Sequence, residues 1–133
     1  MHATINGERT LTGLDFARLS KLLERQLSPS LADLLASAEV TSSRAVHRDV
    51  VTMNSKVEIV DVRTRAQQVL TICYPEDADP AAGLISVLSP VGNGLLGLRA
   101  GETAKWRTPN GGECAAEVKA VLFQPEATGD YAT

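Results

Sequence analysis

Residues 84–102 read LISVLSPVGNGLLGLRAGE, and Gly92, Gly94 and Gly97 in this stretch match the pattern G-x-G-x-x-G. In dinucleotide-binding proteins this pattern joins a strand to a helix that points at a pyrophosphate, and a parallel strand follows. Here Gly101 follows the leucine-rich segment almost at once, which leaves no room for the crossover of about a dozen residues that a parallel return needs. The glycines therefore indicate a short helix, buried through Leu95, Leu96 and Leu98, that packs closely on a sheet and ends sharply at Gly101.

On both sides of this stretch apolar and polar residues alternate with a period of two, which is typical of half-buried strands. The alternation occurs in residues 56–59, 69–74, 104–107 and 114–123. In the last segment the predicted apolar face consists of Ala116, Val118, Ala120 and Leu122. The run Pro109-Asn110-Gly111-Gly112 predicts a hairpin turn, because glycine takes a positive φ at no steric cost. The second half of the chain is therefore predicted to be a mostly antiparallel sheet.

The first half of the chain has a helical period instead. Thr12 can cap a helix that has Asp15 in its first turn, and an apolar stripe follows at spacings of three and four residues. This stripe consists of Phe16, Leu19, Leu23 and Leu27, and a second stripe consists of Leu31, Leu34, Leu35 and Ala38. The interruption at Ser28-Pro29-Ser30 predicts two short amphipathic helices joined as an antiparallel hairpin.

Composition and charge exclude several classes of protein. The 133 residues are 44% hydrophobic with a net charge of -3, and neither half of the chain is basic, so direct binding to nucleic acid is not expected. The N-terminus lacks a basic segment followed by a continuous apolar stretch, and no segment reaches the roughly 18 apolar residues of a membrane span. These features predict a cytoplasmic protein that does not bind membranes.

The residue types that carry metal or nucleophilic chemistry are isolated. Cys73 and Cys114 are far apart and no histidine stands at ligand spacing, while His2 and His47 are isolated from one another. Tetrahedral metal sites and catalytic triads need such residues in closer patterns. The sequence therefore predicts no metal, no cofactor and no catalytic residue.

The segment ISVLSPVGNGLLGLRAGE together with the turn TPNGGE resembles the C-terminal domain of the Gre-type transcript cleavage factors of bacterial RNA polymerase, over residues 84–113. The segments HRDVVTMNS (47–55), CYP (73–75) and QPEATGDY (124–131) are similar to the shorter members of that superfamily, the regulators of nucleoside diphosphate kinase. The resemblance covers about residues 46–131.

This resemblance implies an α+β fold, with a short N-terminal helical hairpin in residues 1–49 and an FKBP-like antiparallel sheet domain with one short helix in residues 50–133. It implies RNA polymerase core as the partner. In the family the C-terminal domain docks at the rim of the secondary channel and the hairpin projects into the channel. The cleavage factors carry acidic residues at the hairpin tip, where these residues help to position a catalytic metal.

The predicted tip of this chain departs from that pattern. Its residues, Gln26, Leu27, Ser28, Pro29 and Ser30, include no carboxylate. The sequence therefore predicts a non-enzymatic regulator that occupies the channel and competes with cleavage factors. Two alternatives stay open. One is a cleavage factor with a shortened hairpin that uses Glu24 and Asp33, and the other is an adaptor for a protein other than polymerase.

The resemblance also implies which residues dock on polymerase. They are Ser86, Leu88, Ser89, Pro90 and Asn93, around the start of the short helix. The alternative is that Ser89 and Pro90 only begin this helix, because proline suits the first helical turn.

Two further features allow two interpretations each. Residues 75–80, PEDADP, form either an ion or interface site or a solvated turn. Trp106 belongs either to an interface, where tryptophan is enriched, or to the core.

Overall fold

The structure is a computed structural model, and it describes residues 9–108 and 110–129. The expectations for His2, Pro109 and the tail beyond residue 129 lie outside these described residues. In chain order the elements are β1 (Thr10–Thr12), α1 (Gly13–Arg25), α2 (Pro29–Ser37), β2 (Glu39–Thr41), β3 (Lys56–Asp61), β4 (Gln67–Cys73), β5 (Leu84–Ser86), α3 (Pro90–Leu95), β6 (Thr103–Arg107) and β7 (Glu113–Phe123). Short 3-10 turns occupy Pro75–Asp77, Pro80–Ala82 and Pro125–Thr128.

Both predicted helices are confirmed, and side-chain caps fix where they begin. The backbone N–H of Asp15 donates to Thr12 Oγ1 at 3.0 Å, and that of Leu31 donates to Ser28 Oγ at 3.2 Å. Such caps satisfy N–H groups that have no partner within the helix. The predicted stripe of α1 is wrong at Leu27, which is 93% exposed because α1 ends at Arg25. No described helix is long and apolar enough to cross a membrane.

A pair of three-residue strands closes the base of the hairpin. Strands β1 and β2 pair in parallel, with Thr10 opposite Glu39 and Thr12 opposite Thr41. The Thr10 N–H also donates to the carbonyl of Gly97, at 3.0 Å, so the base is attached to the larger sheet domain. The sequence did not predict this pair, since three residues are too few to establish an alternation of apolar and polar positions.

The larger sheet has five strands in the order β5-β4-β3-β7-β6. All of its pairs are antiparallel except β4 with β5, which confirms a mostly antiparallel sheet. One detail of the prediction is wrong, because Leu122 is 51% exposed and Val121 packs on the core instead. The register of β3 against β7 shifts at two places, and an extra residue at a bulge moves the following side chains to the other face.

One buried cluster spans the hairpin and the sheet. Leu19 and Leu22 of α1 and Leu31 and Leu34 of α2 belong to the same cluster as the apolar faces of the sheet. Buried polar contacts reinforce this packing, since the Met53 N–H donates to Asp15 Oδ2 at 3.1 Å. The α+β class is confirmed, and the division into residues 1–49 and 50–133 stays a prediction.

Candidate functional site

Helix α3 begins earlier than its leucines suggested, and Gly92 and Gly94 lie inside it. A Cβ on Gly92 would lie 2.1 Å from the carbonyl oxygen of Ser86, so only glycine lets the helix approach the end of β5 this closely. Gly97 has φ +85° and Gly101 has φ +96°, both in the left-handed region. The glycine pattern therefore serves close packing, as the sequence predicted. The predicted end of the helix at Gly101 is wrong, because α3 ends at Leu95 and leaves Leu96 and Leu98 outside it.

The turn before α3 is fixed by its two serines. Ser89 Oγ donates to the carbonyl of Ser86 at 2.7 Å and accepts from the N–H of Gly92 at 3.0 Å. Ser86 Oγ accepts from the N–H of Leu88 at 3.0 Å. Because these hydroxyls are engaged within the turn, Leu88 and the exposed Pro90 are the side chains of this turn that a partner can contact.

This arrangement confirms that Ser89 and Pro90 begin the helix. Ser89 is the N-cap of α3 and Pro90 occupies its first turn, where the missing N–H of proline costs nothing. Pro90 and Asn93 therefore lie within the helix. Starting a helix does not exclude docking, so the docking role of the five predicted residues stays a prediction.

Arg9 anchors α3 from the base of the hairpin. Its guanidinium donates to the carbonyls of Asn93 and Leu96, at 2.9 and 2.8 Å, which are acceptors at the C-terminal end of the short helix. Burial lowers the pKa of Arg9, and the nearby charge of Glu102 acts in the opposite direction. No local pattern in the sequence indicates this contact, because more than 80 residues separate Arg9 from its acceptors.

A groove of about 280 Å³ brings the hairpin tip and the predicted docking residues together. From the predicted sets it is lined by Ser30, Leu88, Ser89, Pro90 and Asn93, and sequence reasoning missed the cationic Arg9, Lys105 and Arg107 that line it too. Ser30 is the one predicted tip residue that lines it, and Ser86, Gln26, Leu27, Ser28 and Pro29 do not. The signal for Lys105 and Arg107 was present in the strand pattern, where they flank Trp106.

Trp106 combines the two interpretations that its sequence position allowed. It is half-buried and packs against the core, and a Cβ placed on Gly94 would lie 3.6 Å from its Cε3 atom. The remainder of the side chain lines the groove beside α3. One part of the tryptophan therefore packs on the core, and the residue also borders the groove.

The hairpin tip is short and uncharged at its turn. At about 1.5 Å per residue, the 13 residues of α1 span about 20 Å. Glu24 and Asp33 are both exposed, and Asp33 lines a small pocket next to the groove whereas Glu24 does not. Within residues 9–108 and 110–129, no group of three His, Cys, Asp or Glu side chains is placed to hold a metal ion.

A set of buried polar groups connects α1 to the sheet domain. Asp15 is 1% exposed, and burial is the main reason that its pKa rises to about 6. Burial and the nearby Asp15 raise the pKa of Tyr74 to about 12. Thr52 Oγ1 donates to Glu126 Oε1 at 2.7 Å, which attaches the last 3-10 turn to the same region.

The structure also places the acidic segment 75–80, Cys73 and His47, which the sequence analysis considered. The acidic residues of the 75–80 segment are exposed on two 3-10 turns, and the two interpretations of this segment stay open. Burial raises the pKa of the Cys73 thiol, whose Sγ donates to the carbonyl of Ile85 at 3.6 Å. His47 accepts from the Asp49 N–H through Nδ1, at 3.3 Å, and its carbonyl accepts from Gln124 Nε2 at 2.8 Å.

Comparison with known proteins agrees with this architecture. A family described as "Transcription elongation factor, GreA/GreB, C-term" matches residues 46–123. The regulator of nucleoside diphosphate kinase of Escherichia coli strain K12 is 37% identical over 127 residues, which cover 91% of this chain and 93% of that protein. The transcription elongation factor GreA of Amoebophilus asiaticus is 35% identical over 91 residues, which cover 68% of this chain and 57% of that factor.

Among solved structures, the prokaryotic transcription elongation factor GreA/GreB from Nitrosomonas europaea superposes with a TM-score of 0.73. It is 37% identical, and the match covers 87% of this chain and 98% of that chain. Its fold and the sequence matches confirm the resemblance that residues 84–113 first indicated. The chain therefore belongs to the GreA/GreB family of transcription elongation factors and is a homologue of the regulators of nucleoside diphosphate kinase.

Proposed function

We propose that the protein binds RNA polymerase core near its secondary channel, excludes Gre-type cleavage factors from it, and does not itself stimulate transcript cleavage. The sheet domain provides most of the docking surface and the hairpin partly fills the channel entrance. The observation that carries the proposal is a family fold whose hairpin tip, residues 26–30, has no carboxylate. In this role the protein is a regulator that acts by occupancy and is not an enzyme.

The length of the hairpin supports the same role. A helix of about 20 Å keeps the tip close to the sheet domain, and Ser30 lines the same groove as Pro90. A tip held there can occupy an entrance but does not extend as a long arm. The name of the Escherichia coli relative refers to nucleoside diphosphate kinase, and we propose that this link is an indirect effect of altered transcription.

Competition for polymerase is the decisive measurement. We expect the protein and a GreA-type factor to bind purified core polymerase in a mutually exclusive way. A Pro90→Glu variant should bind at least about tenfold more weakly, a loss of about 1.4 kcal/mol, because the substitution removes an exposed apolar contact while glutamate suits the first turn of a helix.

The matched control is Val69→Glu, since Val69 is also an exposed apolar residue. Val69 does not line the groove, so this variant should bind polymerase as the wild type does. Equal binding by both variants would remove α3 from the docking surface, and simultaneous binding of the protein and GreA would exclude occupancy of the same site.

Transcript cleavage is the second test. Added to a backtracked elongation complex, the protein should give no cleavage above that of polymerase alone, whereas a GreA-type factor should accelerate it. The alternative is that the exposed carboxylates of Glu24 and Asp33 act despite their position below the tip. Stimulated cleavage that is lost in Glu24→Ala and Asp33→Ala variants would establish that alternative and contradict the proposal.

A further inference from the structure

Trp106 separates two grooves on the outer part of the sheet. The groove of about 280 Å³ beside α3 is the one described above, and a second groove of about 480 Å³ lies on the other side, towards the turn between β3 and β4. Lys105, Trp106 and Arg107 line both grooves. The larger groove adds Val62 and Arg63 from the turn. We call these five residues the Trp106 surface.

The Trp106 surface is basic although the chain as a whole has a net charge of -3. Arg63, Lys105 and Arg107 are exposed. The neighbouring Asp61 carboxylate caps the turn that follows β3, since its Oδ1 accepts from the N–H groups of Arg63 and Thr64 at 2.8 and 2.9 Å. These bonds lower the pKa of Asp61.

One other acid borders this surface. Glu113 lies 3.7 Å from Arg107, with both side chains more than 70% exposed, and such exposed pairs contribute little and exchange readily. Neutralisation by Glu113 therefore does not prevent Arg107 from meeting a carboxylate of a partner. The three cations outnumber the acids that line the grooves, which are Asp61 and Glu113.

The same surface offers apolar area at its centre. Trp106 is half-buried and packs against the core cluster, and Val62 is 47% exposed. A tryptophan held in place loses little side-chain entropy when it is covered, and tryptophan and arginine are the residues enriched at the centres of protein interfaces. Side chains alternate between the two faces of a strand, so Lys105 and Arg107 project from the face opposite Trp106, and both faces meet at the free edge of β6. An acidic segment that carries an apolar side chain and crosses this edge can contact the cations and Trp106 together.

We propose that the Trp106 surface binds an acidic segment of RNA polymerase that inserts an apolar side chain against Trp106. The inference rests on the proposed function and extends the docking surface from Pro90 to Arg63. A single aromatic side chain does not offer the series of stacking platforms that single-stranded RNA binders use, and three cations displace few counterions. The charge and shape therefore favour a protein segment over RNA.

Charge reversal tests this inference while leaving Trp106 in place. We expect Lys105→Glu/Arg107→Glu to bind core polymerase at least about tenfold more weakly than the wild type at 50 mM salt, with a smaller difference at 200 mM salt because salt screens exposed charges. The control is Lys56→Glu/Lys119→Glu, which changes the net charge equally at exposed positions that line neither groove. The control should bind within about threefold of the wild type.

The outcomes separate this inference from the proposed function. Wild-type binding with an unchanged Lys105→Glu/Arg107→Glu variant would overturn the Trp106 surface and leave the polymerase role in place. Absence of wild-type binding would overturn both. Binding of the wild type to a 20-nucleotide single-stranded RNA, lost in the same variant, would identify a nucleic-acid surface and overturn the inference. A cooperative urea transition at the wild-type midpoint establishes that the variant is folded.

Discussion

Replacing Gly92 by alanine is expected to destabilise the protein by about 3 kcal/mol or more, the size of a severe core defect. The new Cβ would lie 2.1 Å from the Ser86 carbonyl oxygen, 2.9 Å from its carbon and 3.1 Å from the Val87 Cα. All three are backbone atoms, so no side chain can rotate away to relieve the clash. Relief would require α3 to move off β5, which breaks the bonds that the Ser86 carbonyl accepts from Ser89. Urea unfolding followed by circular dichroism measures the loss.

Gly94→Ala is the matched control in the same helix. Its nearest neighbours outside α3 would be at 3.6 Å, which is ordinary van der Waals contact. Alanine is the better helix former by about 0.5–1 kcal/mol, so this variant should stay within about 1 kcal/mol of the wild type. Similar losses for the two variants would show that helical position, and not the approach to Ser86, limits the side chain at Gly92.

Replacing Asp15 by asparagine is expected to remove a pH dependence of stability. The carboxyl has a pKa of about 6 in the folded protein against an ordinary value of 3.8, so the folded state binds more protons between these values. The free energy of unfolding should therefore be largest below about pH 4 for this group and fall as the pH rises to about 6. The shift of roughly two units corresponds to about 3 kcal/mol as an upper estimate. Asparagine keeps an oxygen for the Met53 N–H and has no proton to lose.

The difference between wild type and variant reports on Asp15 and its interaction with Glu126, because carboxylates distant from Asp15 contribute equally to both. Urea midpoints at pH 4.5 and 7.5 should show Asp15→Asn gaining stability relative to the wild type at the higher pH. Asp33→Asn, at an exposed position, should follow the wild-type profile. Asp15→Ala should be less stable than Asp15→Asn at both pH values, since it leaves the Met53 N–H buried without this acceptor, at a cost of about 1–3 kcal/mol. An unchanged profile in Asp15→Asn would show that Asp15 does not titrate in this range.

Local signals in the sequence were sufficient for most elements of the fold. Thr12, Ser28 and Ser89 each cap a helix through a side chain that bonds to a backbone N–H three residues later, and such contacts are visible in a short window of sequence. The strands were recognisable from their alternation. Leu122 was misplaced because a bulge depends on the pairing with β3, which the sequence of β7 alone does not contain.

The site was only partly predictable for a related reason. The residues around Ser89 could be named because they form one continuous segment that resembles a family. Arg9, Ser30 and Arg107 line the same groove from three distant parts of the chain, and no spacing rule connects them. The basic character of the Trp106 surface was also hidden, because the charges of the whole chain sum to a small negative value.

Different residues determine the length of the hairpin and its attachment to the sheet domain. Strands β1 and β2 join its two legs, and the bonds of Thr10 and Arg9 attach that base to the sheet domain. If equal numbers of residues were inserted into α1 and α2 near the tip, the hairpin would lengthen by about 1.5 Å for each residue added to a helix. The base would stay unchanged. Because such residues lengthen the helical legs and not the turn between them, the entropy of closing the turn does not change. In this architecture the sequence of the tip and the length of the hairpin can change while the contacts of Arg9 and Thr10 at the base stay the same.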